Sequence, residues 1–211
     1  MHLKRLVAPA WPGLLRKVRT FVIAPAPGTH NSEISMPLGL WLRHMGLANT
    51  RREISHIVSK STILVDGRRI TDDKFVVGFM DILEIKEASV LKQVSFDNKG
   101  NLVLVDVKSK NKPSRIIGKT VVKGGKIQYN LFDGKNLLSD QKYNIGDTLV
   151  LEVPTQKVVS HLKLEKGANI ILTRGKHKGQ KGKVVRVDEN KVTFDSNGEV
   201  ETLKEYAFVI Q

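Results

Sequence analysis

Between Gly167 and Asp188 the chain reads GANIILTRGKHKGQKGKVVRVD. A short apolar run, Ile170 to Leu172, enters a loop that holds Gly175, Gly179 and Gly182, and a second run, Val184, Val185 and Val187, leaves it. Such a pattern predicts two short strands joined by a glycine-rich loop. Glycine has no Cβ and accepts φ > 0, so the loop backbone can approach another surface closely. Lys176, Lys178, Lys181 and Lys183 add positive charge without imposing a fixed geometry. Backbone amides and ammonium groups held together in this way suit a phosphate backbone.

Two familiar glycine motifs are excluded. The ATP-binding loop requires Gly-Lys followed by Ser or Thr, and here Gly182-Lys183 is followed by Val184. The dinucleotide fingerprint fails on spacing, and no long helix follows. A solvated lysine-rich hairpin is the plain alternative, but three glycines between flanking strands favour a binding loop. The segment resembles the KOW motif of ribosomal proteins and transcription elongation factors.

Charge points the same way. The 211 residues include 35 Lys and Arg against 21 Asp and Glu, a formal net charge of +14. Cations exceed acids in each of the segments 1–35, 36–86, 87–160 and 161–211, so contact is expected over a wide surface. A membrane surface is the weaker partner, because no basic amphipathic helix with bulky apolar residues is evident. No segment approaches a transmembrane span, and Pro9, Pro12, Pro25 and Pro27 interrupt any signal-type apolar run. Aromatic residues are only 6%, which favours recognition of folded RNA by charge and shape over base stacking.

No catalytic constellation, metal site or cofactor site is expected. There are no cysteines, and the six histidines form no metal-ligand pair. No Gly-x-Ser-x-Gly elbow occurs, and Asp66, Asp81, Asp133 and Asp147 fit turns and strand starts.

Four segments follow one another. Residues 1–35 hold four of the seven prolines and read as an extended basic arm that is disordered alone. Over 36–88, Leu38, Trp41, Leu42 and Met45 mark a first helix ended by Gly46. Thr50-Arg51-Arg52-Glu53 is a capping box opening a second helix, with Ile54, Ile57 and Val58 inward. Asp66-Gly67 between short apolar runs predicts a hairpin. Residues 89–160 read as short strands with glycine turns, and 161–211 as a compact β module of SH3-like form.

The order of helix, Gly46-Leu47 turn, arginine-headed helix, Asp66-Gly67 hairpin and Gly78-x-x-Asp81 strand resembles the S4-type RNA-binding domain. Ser61 departs from that pattern, which has glycine after the second helix. A left-handed serine would be strained by about 1–2 kcal/mol. His2-Leu3-Lys4-Arg5-Leu6, Trp11-Pro12, Gly46-Leu47-Ala48, Leu64 to Arg68, Gly118-Lys119-Thr120, Lys123 to Lys126 and Gly175-Lys176-His177 extend the resemblance to nearly the whole chain. Together they resemble the S4e family of small-subunit ribosomal proteins.

That resemblance implies an α+β, multi-domain chain: a small helix-hairpin S4-type domain, a central all-β domain and a C-terminal SH3-like KOW barrel. It implies a non-enzymatic, structural component of the cytoplasmic ribosome. Its partners are then small-subunit ribosomal RNA and neighbouring ribosomal proteins, with no membrane and no homo-oligomer. A KOW-containing transcription elongation or RNA-polymerase-binding factor and the docking part of an RNA-modifying enzyme are the alternatives.

The expected RNA-contacting residues are Lys4, Arg5, Arg16 and Lys17 in the arm, and Arg51, Arg52, His56 and Lys60 on the second helix. Arg68 and Arg69 follow in the hairpin, Lys119, Lys123 and Lys126 in the central domain, and Arg174, Lys176, His177, Lys178 and Lys181 around the C-terminal loop. Lys108, Lys110, Lys112 and Arg115 crowd beside the central set.

Overall fold

The computed structural model describes residues 2–122, 124–196 and 198–210. The chain divides into two units, residues 1–95 with 101–110, and residues 96–100 with 111–211. Among the described residues there are two α-helices and many short strands.

In the first unit, β1 (Leu3–Lys4) pairs antiparallel with β2 (Phe21–Val22). The first 35 residues are therefore not an open arm. Trp11 is buried and its indole N–H donates to the Ser32 carbonyl at 3.2 Å, while Ala8, Ile23 and Ile34 are buried with it. The prolines prevent a helix, as expected, but the chain satisfies its backbone by pairing with itself.

Strand β3 (Ser35–Pro37) leads directly into helix α1 (Leu38–His44). Leu38, Trp41 and Leu42 of α1 are fully buried. The helix closes with the Leu47 amide bonding back to Leu42 O at 3.1 Å and the Gly46 amide to Arg43 O at 3.0 Å, the paired bonds that satisfy a helix C-terminus. Helix α2 (Arg51–Lys60) carries the expected capping box, with Thr50 accepting from the Glu53 amide. Ile54 and Val58 are buried, and Ile57 is half-buried. Ser61 is extended, with φ −84°, so the turn after α2 carries no left-handed strain.

Strands β4 (Ile63–Val65) and β5 (Arg68–Arg69) form the predicted hairpin, with Asp66 at φ 49° and Gly67 at φ 73° in its two-residue turn. Strand β6 (Val76–Gly78) pairs with β3. Strand β7 (Ile82–Ile85) joins β4 to β8 (Val90–Phe96), and β9 (Leu102–Asp106) completes a sheet of order β5-β4-β7-β8-β9. The hairpin β8–β9, grouped by sequence with the central domain, thus extends the sheet of the first unit. The deciding contact is the β7–β8 ladder, in which Ile82 pairs with Gln93 and Ile85 with Val90.

The second unit holds two five-stranded sheets. Strand β10 (Asn111–Val121) is shared. Its first half pairs with β13 (Thr148–Glu152), and its second half, beyond an irregularity between Ile116 and Gly118, pairs with β11 (Ile127–Leu131). With β12 (Asn136–Ser139) and β14 (Lys157–Leu162) the order is β12-β11-β10-β13-β14. Ile116, Tyr129, Leu131, Tyr143, Leu149 and Leu151 form its core.

The other sheet comprises β15 (Asn169–Leu172), β16 (Lys181–Val187), β17 (Lys191–Asp195), β18 (Glu199–Leu203) and β19 (Ala207–Val209), in the order β18-β17-β16-β15-β19. Ile170, Leu172, Val184, Val192, Phe194 and Val209 lie at its core.

Candidate nucleic-acid interface

The predicted cations separate into those the fold consumes and those it leaves exposed. Arg5 is one that the fold also uses for itself: it is 8% exposed. Its Nε donates to the Phe21 carbonyl at 3.1 Å and its Nη1 to that of Leu15 at 2.7 Å. A guanidinium with five donors is well suited to tie a proline-rich segment together through carbonyls that no ladder satisfies.

Two members of the central cluster are also internal. The Lys112 side chain is 2% exposed and its Nζ lies 2.9 Å from Asp133, itself 3% exposed. Burial alone would raise the Asp133 carboxyl, but Lys112 at hydrogen-bond distance, with Lys135 beyond it, holds it below the usual carboxylate range. Arg115 is buried over the Phe132 ring. Its Nη1 donates to the carbonyls of Glu205 and Ala207, the latter at 2.9 Å. Burial lowers its pKa to about 10, against the pull of Glu205 and with a push from Arg174.

The glycine-rich loop also departs from expectation. Three of its backbone amides are already bonded within the turn. The Gly179 amide donates to Leu172 O at 2.8 Å, that of Gln180 to His177 O at 3.1 Å and that of Lys178 to Gly175 O at 3.3 Å. The loop is a tight, self-bonded turn. Gly179 is buried at φ +85°, and a Cβ there would lie 2.2 Å from Asp97 O. Close approach is real, but to the protein's own backbone. Lys178 is half-buried with its Nζ 4.7 Å from the centroid of Phe96. His177 is half-buried as well.

The remaining cations are exposed. On α2, Arg52, His56 and Lys60 are spaced by four and share one exposed face. Arg51 is exposed too, but its Nε lies 3.5 Å from Asp73. Glu53, the acid of the first turn, is held by the amides of Asn49 and Thr50 and the Thr50 hydroxyl, which lower its pKa. It therefore caps the helix and forms no ion pair with the arginines beside it.

Arg68 and Arg69 project from the β4–β5 hairpin. Lys4, Arg16 and Lys17 are exposed on the N-terminal segment, where Arg16 also donates to Ala8 O at 3.3 Å. In the second unit, Lys119 and Lys126 are exposed on the β10–β11 hairpin, and Arg174, Lys176 and Lys181 around the C-terminal turn. Lys123 lies outside the described residues.

Lys4, Lys17, Arg52, Lys60, Arg68, Arg69, Lys119, Lys126, Arg174, Lys176 and Lys181 enter no ion pair among the described residues. The acids that do pair are spent elsewhere, as in Lys92–Asp106, Lys110–Glu84, Arg186–Asp188 and Lys191–Glu201.

The conspicuous aspartates hold turns. Asp81 accepts from the Gly78 amide at 2.8 Å and contacts His30. Asp147 accepts from the amides of Leu164 and Asn144 and from His161.

Comparison with known proteins identifies the family. The model of the ribosomal family S4e matches residues 93–158, the S4 domain 36–83, the KOW motif 166–195 and the RS4NT domain 1–33. The small ribosomal subunit protein eS4 of Archaeoglobus fulgidus is 39% identical over 219 residues, covering 100% of this chain and 93% of the relative. That of Nanoarchaeum equitans is 39% identical, covering 94% and 90%. The crystal structure of the 30S ribosomal protein S4e from Thermoplasma acidophilum superposes with a TM-score of 0.72 at 29% identity, covering 83% of this chain and 94% of that one. With relatives above 30% identity matched over nine-tenths or more of both chains and the four segments in one order, the chain belongs to the S4e family of ribosomal proteins.

Proposed function

We propose that this chain is a structural constituent of the small ribosomal subunit that binds the subunit's RNA through cations distributed over several surfaces. The observation that carries the reading is the set of exposed lysines and arginines that enter no ion pair among the described residues, in a chain of net charge +14. Uncompensated surface charge is what counterion-releasing contact with phosphates requires.

The segments that present it are a basic N-terminal segment over 1–35, a helix-hairpin S4-type domain over 36–88, whose sheet the hairpin β8–β9 extends, a central β domain over the rest of 89–160 and an SH3-like KOW barrel over 161–211. The order of the S4, S4e and KOW matches supports that sequence of segments. Lys4, Arg16, Lys17, Arg51, Arg52, His56, Lys60, Arg68, Arg69, Lys119, Lys126, Arg174, Lys176, His177, Lys178 and Lys181 are the proposed contacts. The role is structural, not catalytic, and it is exercised in the cytoplasm. The partners are small-subunit ribosomal RNA and adjacent ribosomal proteins; neither a membrane nor a second copy of the chain takes part. A transcription elongation factor and an RNA-modifying enzyme are not favoured, since relatives matched over nearly their full length carry the ribosomal name.

Sucrose-gradient fractionation tests the reading: nearly all of the protein should sediment with the small subunit. The α2 face is tested by Arg52→Ala with Lys60→Ala. Removing these two cation–phosphate interactions should lower the magnitude of the log–log salt slope of RNA binding by roughly 1.4–1.8. An unchanged slope removes that face from the interface.

A further inference from the structure

Away from the surfaces assigned above, one concavity gathers charge of a single sign. The N-terminal segment folds beside α1 and leaves a cavity of ≈ 370 Å³. Arg5, Arg19, Arg43 and His44 line it, together with apolar residues that include Leu15 and Leu40. No carboxylate is among its lining residues. Glu53, which bonds the backbone amide of the lining residue Asn49, is committed to the cap of α2.

Arg43 is the informative member. It stands in the last turn of α1, where a cation is favoured by the helix dipole. Its Nε is nevertheless buried and has no hydrogen-bond partner among the described residues. A buried guanidinium N–H without an acceptor is rare and calls for an explanation. Burial, then the like charges of Arg5 and Arg19, lower the Arg43 pKa. The fold thus brings guanidinium groups together with no carboxylate among the described residues that line the cavity.

We infer that this cavity is a phosphate site, seating one phosphodiester of the RNA backbone among the guanidinium groups of Arg5, Arg19 and Arg43. A phosphate supplies the missing acceptor for Arg43 Nε and neutralises the repulsion. Guanidinium forks match phosphate oxygens in pairs. Arg5, held in place by the carbonyls of Phe21 and Leu15, contributes charge from a fixed position at no further ordering cost. A polyanion fits better than a free ion because Arg16 and Lys17, exposed on the same segment, continue the positive charge beyond the cavity. The inference rests on the RNA-binding reading and adds to it a defined seat built by the N-terminal segment and α1.

The test uses the full chain, purified small-subunit ribosomal RNA and, separately, inorganic phosphate. Arg43→Gln is expected to lower the salt-slope magnitude by about 0.7–0.9 while leaving the melting temperature of the free protein unchanged or raised. Arg43→Lys should keep the slope and weaken the affinity, because an ammonium cannot reproduce the paired geometry. Arg19→Gln should lower both; Arg19 is exposed, so this variant carries the test even if Arg43→Gln does not fold. RNA binding by the parent protein with Arg43→Gln and Arg19→Gln both unchanged would overturn the phosphate seat and leave the RNA reading standing. Failure of the parent protein to bind the RNA would overturn both. A rise in melting temperature with inorganic phosphate, with the RNA slope still unchanged in the variants, would make the cavity a free-anion site and reject the backbone assignment.

Discussion

Replacing Gly179 with alanine tests the central correction to the glycine-rich loop. The residue has φ +85°, and an added Cβ would lie 2.2 Å from Asp97 O and 2.8 Å from both the amide nitrogen and Cα of Gly100. The left-handed backbone costs an alanine about 1–2 kcal/mol. Forcing a methyl group against a fixed backbone adds about 1–3 kcal/mol, because main chain cannot swing away as a side-chain tip does. Together these give a destabilisation of roughly 2–5 kcal/mol, or a fall of about 4–20 °C in melting temperature for a chain of this size. Gly124→Ala is the control, since Gly124 has φ +93° and nothing within 4 Å of an added Cβ. It should show only the first cost, a fall of about 2–8 °C. Scanning calorimetry of the two variants beside the parent protein decides the matter. Equal falls would refute the packing argument, because the turn would then be separating from the Asp97–Gly100 segment freely.

The buried Lys112–Asp133 pair supports a second prediction. Lys112→Met should cost about 3–5 kcal/mol by stranding a buried carboxylate, and Asp133→Leu added to it should restore much of the loss, both read by urea denaturation at neutral pH. Because the folded Asp133 pKa is depressed, its contribution is present above the unfolded value near 3.9 and should disappear as pH falls below about 4 through the folded value, which a pH series of the same titrations measures. Around the C-terminal turn, Lys176→Gln with Lys181→Gln should flatten the RNA salt slope by roughly 0.7–0.9 per contact with no change in melting temperature. Lys178→Gln, which removes the cation over Phe96, should instead cost about 0.5–1 kcal/mol of stability in thermal denaturation.

What could be read from the residues was what is decided within a few residues. The capping box at Thr50 and the Asp66-Gly67 turn are closed by hydrogen bonds of short sequence range, so their letters suffice. The family was legible for a related reason: its motifs are local and their order is preserved. The failures all involve distant partners. Four prolines spoke for an extended N-terminal segment, but Trp11 finds Ser32 and Arg5 finds Phe21, contacts that composition does not encode. The hairpin β8–β9 looked like the start of a new domain because nothing in its residues announces the ladder to β7. Charge was the poorest guide. Lys112 has the same letter as Lys119 and Lys126, and only burial separates a structural cation from an available one. The loop glycines read as positions of close approach, and at Gly179 and Gly182 the backbone approached is the protein's own.

Arg115 has a consequence in time. Its guanidinium is anchored by the carbonyls of Glu205 and Ala207, some ninety residues later in the chain, and β15 is flanked on one side by β19, which ends at Val209. During synthesis, the strand that carries Arg115 leaves the exit tunnel long before either anchor exists. Until residues 205–209 appear, a buried arginine lacks its acceptors and a central strand presents an open edge. Closure of the second unit is therefore a late and non-local event, of the kind that folds slowly. A nascent chain stopped short of these residues would remain open to proteolysis.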